Sequence, residues 1–366
     1  MTRKQNRISK YLPEWKIRRQ RKPAAAFNPA RVGERRDLVS ETVYKVFDYD
    51  AAHMEERSFS DESSFSAYRQ SGRQVWINVD GLKKDEVERL CARYGVHPLV
   101  MEDVLSTGQR AKMDEIGDIV FCLLPMLYFN TAQVTVDTEQ VSLVIGSGFL
   151  ISFQEDPERD VFDPVRERLR NGNMRLRDGG PDYLAYSLLD VIVDSYFTVI
   201  EQLNECIEEL DDDLILRNGK DILPRISLLR REVMTIRRSI QPVRELINGF
   251  LRSEHPLIDE RSYKYFKDVL DHIIQANEYI EIQRETILNL QELYMSQINL
   301  RMNEVMKVFT MVTVLLAPAA VIGGIFGMNF DRIPLSHDPR GFYAMVMLMV
   351  IIALIMLAYF KRKKWF

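Results

Sequence analysis

The sequence predicts an α+β domain, with helices around a mixed sheet, followed by a long stalk helix and two C-terminal transmembrane helices. Three observations lead to this fold class. Short strand-like and helix-like patterns alternate up to about residue 155, after which only helical patterns follow. The third helical run contains no Pro or Gly between Pro256 and Pro318. Two charge-free apolar stretches then close the chain.

The length and composition exclude several classes of protein. A chain of 366 residues is too long for one ordinary core, so we expect more than one part. The net charge of −4 is small, which argues against a nucleic-acid partner. Cys91, Cys122 and Cys206 are far apart and form no CxxC pair, which predicts a reduced compartment and no structural zinc. The sequence has no GxxxxGK, HExxH or GxSxG motif, so we expect neither an enzyme nor an organic cofactor.

Residues 1–38 form a tail rich in Arg and Lys. The tail has no apolar segment of the kind that a signal peptide needs, so we do not expect it to be cleaved. We predict a disordered, solvated tail. Weak contact with the anionic headgroups of membrane lipids is the functional alternative.

Residues 39–255 predict a cytoplasmic domain whose first part is α/β and whose second part is helical. The predicted strands, rich in β-branched and aromatic residues, are 74–79, 119–129, 140–145 and 149–153. Gly146-Ser147-Gly148 predicts a hairpin between the last two strands. The predicted helices are 85–94, 98–105, 181–217 and 221–247. Asn248-Gly249 is the predicted stop of the last of these helices.

The third helical run begins near Pro256, and residues 256–307 form the predicted cytoplasmic part of the stalk. If the helix is continuous from Asp259 to Phe326, it is about 100 Å long at 1.5 Å per residue. A bilayer alone needs only about 20 helical residues. We therefore expect this helix to join a cytoplasmic body to the membrane.

Residues 308–326 and 341–360 contain no charged side chain, and each stretch is close to the length that spans a bilayer. We predict two transmembrane helices joined by a short outer loop, residues 327–340. The basic tail, residues 361–366, follows the second helix directly. By the positive-inside rule this tail is cytoplasmic, so both termini are expected in the cytoplasm.

Eight residues along the first transmembrane helix and the turn before it lie at alternating spacings of three and four, which places them on one face. They are Asn303, Met306, Thr310, Thr313, Ala317, Ala320, Gly324 and Gly327. This stripe has two interpretations: close helix packing, which small residues allow, or the lining of a central pore in a symmetric ring. Asn and Thr near the cytoplasmic end favour the pore. So does the absence of charges, which would hold a divalent ion too tightly.

The first apolar stretch ends at Gly327-Met328-Asn329, and the second closes with YFKRKKWF. Together with the long preceding helix, this arrangement resembles the CorA family of magnesium transporters. The resemblance covers nearly everything after about Val39. Its upstream segments are His97-Pro98-Leu99 with Glu102-Asp103, Gln140-Val141-Ser142-Leu143, Phe162-Asp163-Pro164-Val165-Arg166 and Tyr265-Phe266-Lys267-Asp268.

The resemblance implies a funnel-shaped homopentamer in the bacterial or archaeal plasma (inner) membrane, with five first helices around the pore. It implies passage of Mg²⁺, often with Co²⁺ or Ni²⁺, and places Gly327, Met328 and Asn329 at the entrance as a selectivity filter. Neutral amide oxygens of Asn329 suit Mg²⁺, which gives up its waters reluctantly. The family resemblance implies a gate of large aliphatic side chains along the pore. This chain departs from that pattern, with Phe309 at one level and the small Ala317 at another. Phe309 is either the main constriction or a packing residue between helices.

The resemblance also implies a regulatory Mg²⁺ site at the interface between neighbouring subunits. The carboxylates that match are Asp268, Asp103, Glu102 and Asp190. Mg²⁺ takes oxygen ligands, often one or two carboxylates with water completing the shell. The alternative is that these residues are solvated surface acids. We expect His97 and His272 to be ordinary structural histidines.

Two other functions remain open at this stage. A zinc or cobalt transporter of the same superfamily is one, although the scarcity of Cys and His after His272 favours magnesium over zinc. A two-span membrane receptor is the other. Such a receptor would normally carry an output domain, whereas this chain has six residues after the second span.

Overall fold

The computed structural model describes residues 42–61, 68–69, 72–106, 108–157, 159–216, 221–328 and 340–363. The predicted basic tail of residues 1–38 and Asn329 lie outside these ranges, as do all but the two ends of the predicted outer loop and the last three residues. The chain divides into two compact units between Leu288 and Asn289.

The first unit contains a seven-stranded mixed sheet with the strand order β2-β1-β3-β7-β6-β5-β4. Only the central pair, β3 and β7, is parallel, and every other neighbouring pair is antiparallel. The strands are β1 (Val43–Tyr49), β2 (Met54–Phe59), β3 (Gln74–Asp80), β4 (Lys112–Ile116), β5 (Ile119–Asn130), β6 (Thr135–Gly146) and β7 (Phe149–Gln154). The α+β class with a mixed sheet, predicted from the sequence, is confirmed.

Two helices cover one face of the sheet. They are α1 (Lys84–Tyr94) and α2 (Pro98–Leu105). Alternate residues of β3, such as Val75, Ile77 and Val79, point into one apolar core with Val87 and Leu90 of α1. The predicted hairpin around Gly146-Ser147-Gly148 joins β6 to β7, with Gly148 at a φ of +77°.

The other face of the sheet is centred on Trp76 of β3, which is fully buried. Its ring stacks on Phe47 at 4.7 Å between centroids, and its Nε1–H donates to Ser152 Oγ at 2.9 Å. The guanidinium of Arg166 lies 5.6 Å from the ring centroid. This one side chain therefore joins β1, β3, β7 and the helix that carries Arg166.

We expect Trp76→Ala to lower the free energy of unfolding by about 3–5 kcal/mol, because it leaves a cavity and removes the indole hydrogen bond to Ser152 Oγ, whose hydroxyl keeps only its bond to Asn78. Trp76→Phe should cost less, since it keeps the stack on Phe47. Urea denaturation followed by far-UV circular dichroism measures both values. Equal unfolding free energies for Trp76→Ala and the wild type would contradict the role of this ring.

The remaining helices are α3 (Asp163–Arg170), α4 (Met174–Asp178), α5 (Pro181–Leu216), α6 (Ile222–Arg252), α7 (Tyr263–Phe326) and α8 (Gly341–Arg362). The predicted stop at Asn248-Gly249 is wrong, because α6 continues to Arg252. Phe250 explains the extension, since it is fully buried and stacks on Phe266 at 4.6 Å. Gly249 permits a close approach to β4, where an added Cβ would lie 3.2 Å from Met113 Sδ.

The long predicted helix is continuous. Helix α7 has 64 residues and passes through Pro318 without a break. A short 3₁₀ turn, Glu260–Ser262, precedes it, and Asp259 caps that turn by accepting a hydrogen bond from the backbone N–H of Arg261. The helix therefore starts four residues after the predicted Asp259.

Three helices are long and apolar enough to cross a membrane: α5, α7 and α8. In the most apolar stretch of α5, 61% of the residues are buried in the first unit, so these residues belong to the hydrophobic core. In the most apolar stretches of α7 and α8, by contrast, only 6% of the residues are buried. These two helices carry the predicted transmembrane stretches, and the described residues leave most of their apolar surfaces uncovered.

Candidate ion pathway and acidic cluster

The stripe on α7 is open along its whole length in a single chain. All eight residues from Asn303 to Gly327 are exposed. Met306 is 60% exposed and the neighbouring Phe309 is 73% exposed. An added Cβ on Gly324 would have no heavy atom within 4 Å. This face can therefore accept either another helix or a water-filled path.

The two threonines of the stripe have their hydroxyl protons already engaged. Thr310 donates to the backbone carbonyl of Met306 at 2.8 Å, and Thr313 donates to that of Phe309 at 2.9 Å. Each Oγ1 then presents lone pairs outward, because the proton points back along the helix. Outward acceptors suit the water molecules of a hydrated cation, which offer only donors.

Helix α7 ends at the start of the Gly-Met-Asn motif. The backbone N–H of Gly327 donates to the carbonyl of Gly323 at 2.9 Å, and that of Met328 to Ile325 at 3.3 Å. Met328 is 55% exposed. The structure thus places the first two residues of the motif at the end of the stripe, while Asn329 lies outside the described residues.

A second candidate site lies in the first unit, where α5 and α7 face each other. Asp190 and Asp194 of α5 and His272 of α7 each offer one ligand atom, and these atoms lie within 4.8 Å of one another. Burial raises the pKa of Asp190, and the charges of Asp194 and Asp268 raise it further. A cation bound here would relieve the repulsion among these three carboxylates.

Of the carboxylates singled out from the sequence, the structure brings Asp190 and Asp268 into electrostatic contact. Burial raises the pKa of Tyr186 beside them, and the charges of Asp190 and Asp268 raise it further. Asp103 has other partners: its carboxylate accepts from Lys112 Nζ at 2.5 Å and from the Gln109 amide at 2.8 Å. Glu102 is exposed on α2. Within one chain, therefore, Asp103 is already compensated by a positive charge.

Sequence reasoning missed Asp194, and it treated His272 as an ordinary structural residue. His272 Nδ1 lies 3.4 Å from Asp194 Oδ1, and it makes no hydrogen bond among the described residues. The available signal was the spacing: Asp190 with Asp194, and Asp268 with His272, are both i, i+4 pairs, which place each pair on one helix face. The sequence does not show that the two faces meet.

Several known proteins are similar to this chain. Residues 71–362 match the family described as CorA-like Mg²⁺ transporter protein. The chain is 36% identical over 322 residues to the cobalt/magnesium transport protein CorA of Thermotoga maritima, covering 88% of this chain and 92% of that protein. It is 29% identical to the putative metal ion transporter YfjQ of Bacillus subtilis, covering 80% and 89%.

The fold is similar to that of a solved full-length structure, the CorA magnesium transporter from Methanocaldococcus jannaschii. The TM-score is 0.74 at 24% sequence identity, and the match covers 88% of this chain and 98% of that one. At this identity the likeness concerns the fold alone. It extends over both units of the chain.

Proposed function

The chain belongs to the family of CorA-like Mg²⁺ transporter proteins, and from this membership we propose that it forms a channel for entry of hydrated Mg²⁺, and also Co²⁺, into the cytoplasm. The observation that carries the proposal is the charge-free face of α7, with outward threonine oxygens, that ends at Gly327 and Met328. The names of the relatives supply the ions, since they refer to cobalt and magnesium transport.

The pathway needs several chains, because one helix cannot enclose it. The uncovered face of α7 would line the pore in a ring of identical subunits. In that ring Asn303, Met306, Thr310 and Thr313 lie toward the cytoplasmic end. Ala317, Ala320 and Gly324 follow toward the outer end. We propose Phe309 as the hydrophobic constriction, since it projects from the helix beside the stripe and is 73% exposed.

The proposed membrane arrangement is supported by the basic residues at the end of α8. By the positive-inside rule, Lys361, Arg362 and Lys363 favour a cytoplasmic position for the end of α8. Two spans then put the first unit in the cytoplasm as well. Entry of a 2+ ion gains about 4.6 kcal/mol per 100 mV, twice the value for one elementary charge, so no ATP-driven step is required.

Uptake into liposomes tests this function directly. Purified protein in vesicles with an interior-negative potassium diffusion potential should admit Mg²⁺, reported by an entrapped magnesium-sensitive dye. Collapsing the potential should slow the entry. Empty vesicles are the control, and a parallel measurement with Zn²⁺ tests the zinc alternative. A dye signal of the same size in empty vesicles and in vesicles with protein would contradict the proposed channel.

The assembly provides a further prediction. We expect five chains of 42.8 kDa, which total 214 kDa before detergent is counted. Light scattering with a correction for bound detergent measures this mass. A corrected mass equal to one or two chains would contradict the ring of α7 helices.

We also propose that cytoplasmic Mg²⁺ closes the channel. Asp268 with Asp190 on one subunit, and Asp103 with Glu102 on its neighbour, would hold a bridging ion across the interface. The first half of this site is supported by the cluster of Asp190 and Asp194 with His272, where burial, and then the charges of Asp194 and Asp268, raise the pKa of Asp190. When Mg²⁺ falls, those charges repel, which favours the open arrangement.

A further inference from the structure

Three arginines converge on one cavity between α6 and α7 of the first unit. The cavity has a volume of about 160 Å³. Its lining residues are Arg230, Val233, Met234, Arg237, Arg284, Ile287 and Leu288. The α6 members recur at intervals of three and four, as do the α7 members, so each set belongs to one helix face. Val233 and Ile287 are fully buried and form an apolar floor.

The charges around this cavity do not balance. Glu281 is the one carboxylate found in ion pairs with these arginines among the described residues. It bonds Arg237 Nε at 2.5 Å and Arg284 Nε at 2.8 Å. Arg230 has no ion pair or hydrogen bond in the part of the chain that the structure describes, and it is exposed. Three guanidinium groups therefore face one carboxylate, which leaves an excess of two positive charges.

Glu281 also fixes the orientation of two of the arginines. It contacts both through Nε, so the paired terminal nitrogens of Arg237 and Arg284 remain available as donors. A planar guanidinium matches the oxygens of a phosphate group with two parallel hydrogen bonds. An anion between the three side chains would relieve the repulsion among them.

We propose that Arg230, Arg237 and Arg284 form a binding site for a phosphate group. The volume decides the size of the ligand, because pockets that enclose whole organic ligands usually measure about 300–1,000 Å³. A single phosphate or the terminal group of a larger molecule fits. We expect a free phosphate and not a lipid headgroup, because Arg284 lies 24 residues before the predicted span on the continuous helix α7, about 36 Å at 1.5 Å per residue. Bound there, it links α6 to the last turns of α7 in the first unit.

The test is binding of inorganic phosphate to the full chain in detergent, measured by isothermal titration calorimetry at constant ionic strength set with chloride. Arg230→Gln should weaken binding at least fivefold without disturbing the fold, since no carboxylate loses its partner. The matched control is Arg238→Gln, which removes an exposed arginine from the same helix outside the cavity. Equal phosphate dissociation constants for the wild type, Arg230→Gln and Arg238→Gln would contradict the proposed site.

A second arm identifies the source of the phosphate group. Native mass spectrometry of the full chain, incubated with phosphatidic acid or with phosphatidylcholine, reports retained lipid. Retention of phosphatidic acid that Arg230→Gln reduces and Arg238→Gln does not would assign the site to a lipid headgroup. Saturable inorganic phosphate binding with no such lipid retention would assign it to the free anion. Failure of both ligands to show dependence on Arg230 would refute the proposal, whatever the outcome for ion transport.

Discussion

Asn329→Ala is expected to reduce Mg²⁺ uptake at least tenfold while leaving the oligomer intact. In the proposed channel, one Asn329 amide from each subunit accepts hydrogen bonds from the waters of the arriving ion. Each such bond contributes about 0.5–1.5 kcal/mol, and all subunits lose theirs at once. Because about 1.4 kcal/mol corresponds to tenfold in rate, the loss of several bonds exceeds that factor. Dye-reported uptake into liposomes, with the oligomer checked by light scattering, measures the effect.

The control for this variant is Asn248→Ala. Asn248 carries the same carboxamide group and lies on α6. Among the described residues, its side chain bonds only the backbone carbonyl of Arg244 on the same helix. Uptake by Asn248→Ala should match the wild type. Near wild-type uptake by Asn329→Ala would remove Asn329 from the filter. Asn329→Asp distinguishes size from charge, since a ring of carboxylates should bind Mg²⁺ more tightly and slow its release.

The parts of the fold that the sequence predicted are those in which one local pattern decides the structure. Strands β3, β5 and β7 were predicted closely because they are rich in β-branched and aromatic residues and are bounded by turns. Strand β2, with the segment Met54–Phe59, was missed because its charged residues hide the alternation. The first five residues of β6 were missed for a similar reason. Glu139 in that segment looks like a loop residue, yet it is buried and accepts two backbone N–H groups, from Glu155 and Asp156.

The two candidate sites also differ in how far the sequence alone reveals them. The stripe on α7 depends only on spacing along one helix, so the sequence contains the information needed to find it. The cluster of Asp190, Asp194 and His272 depends on which faces of α5 and α7 meet, and only the packed structure supplies that. The stop of α6 was mispredicted because Gly249 is a contact residue against β4 and not a terminator.

The acidic surface where α5 faces α7 makes Asp268 the most informative residue for regulation. Asp268 is exposed on α7, and Asp190 is half-buried on α5. Burial raises the pKa of Asp190, and the charges of Asp194 and Asp268 add to that effect. A raised pKa means that protons compete with metal, so Mg²⁺ should bind this site more weakly as the pH falls toward the pKa of Asp190. Replacing Asp268 by Lys reverses the sign of its effect on Asp190, because a nearby ammonium stabilises the carboxylate.

Asp268→Lys is expected to shift the cytoplasmic Mg²⁺ concentration that half-closes the channel at least tenfold, or to abolish closure. The fixed positive charge takes the place of the bridging ion, so the subunit interface no longer depends on Mg²⁺. Initial uptake into liposomes loaded with graded internal Mg²⁺ measures the midpoint. Asp271→Lys is the matched control, since Asp271 is exposed on the same helix three residues away and makes no hydrogen bond or ion pair among the described residues. If Asp268→Lys closes over the same range as Asp271→Lys and the wild type, Asp268 is a surface acid and the Mg²⁺ sensor lies elsewhere.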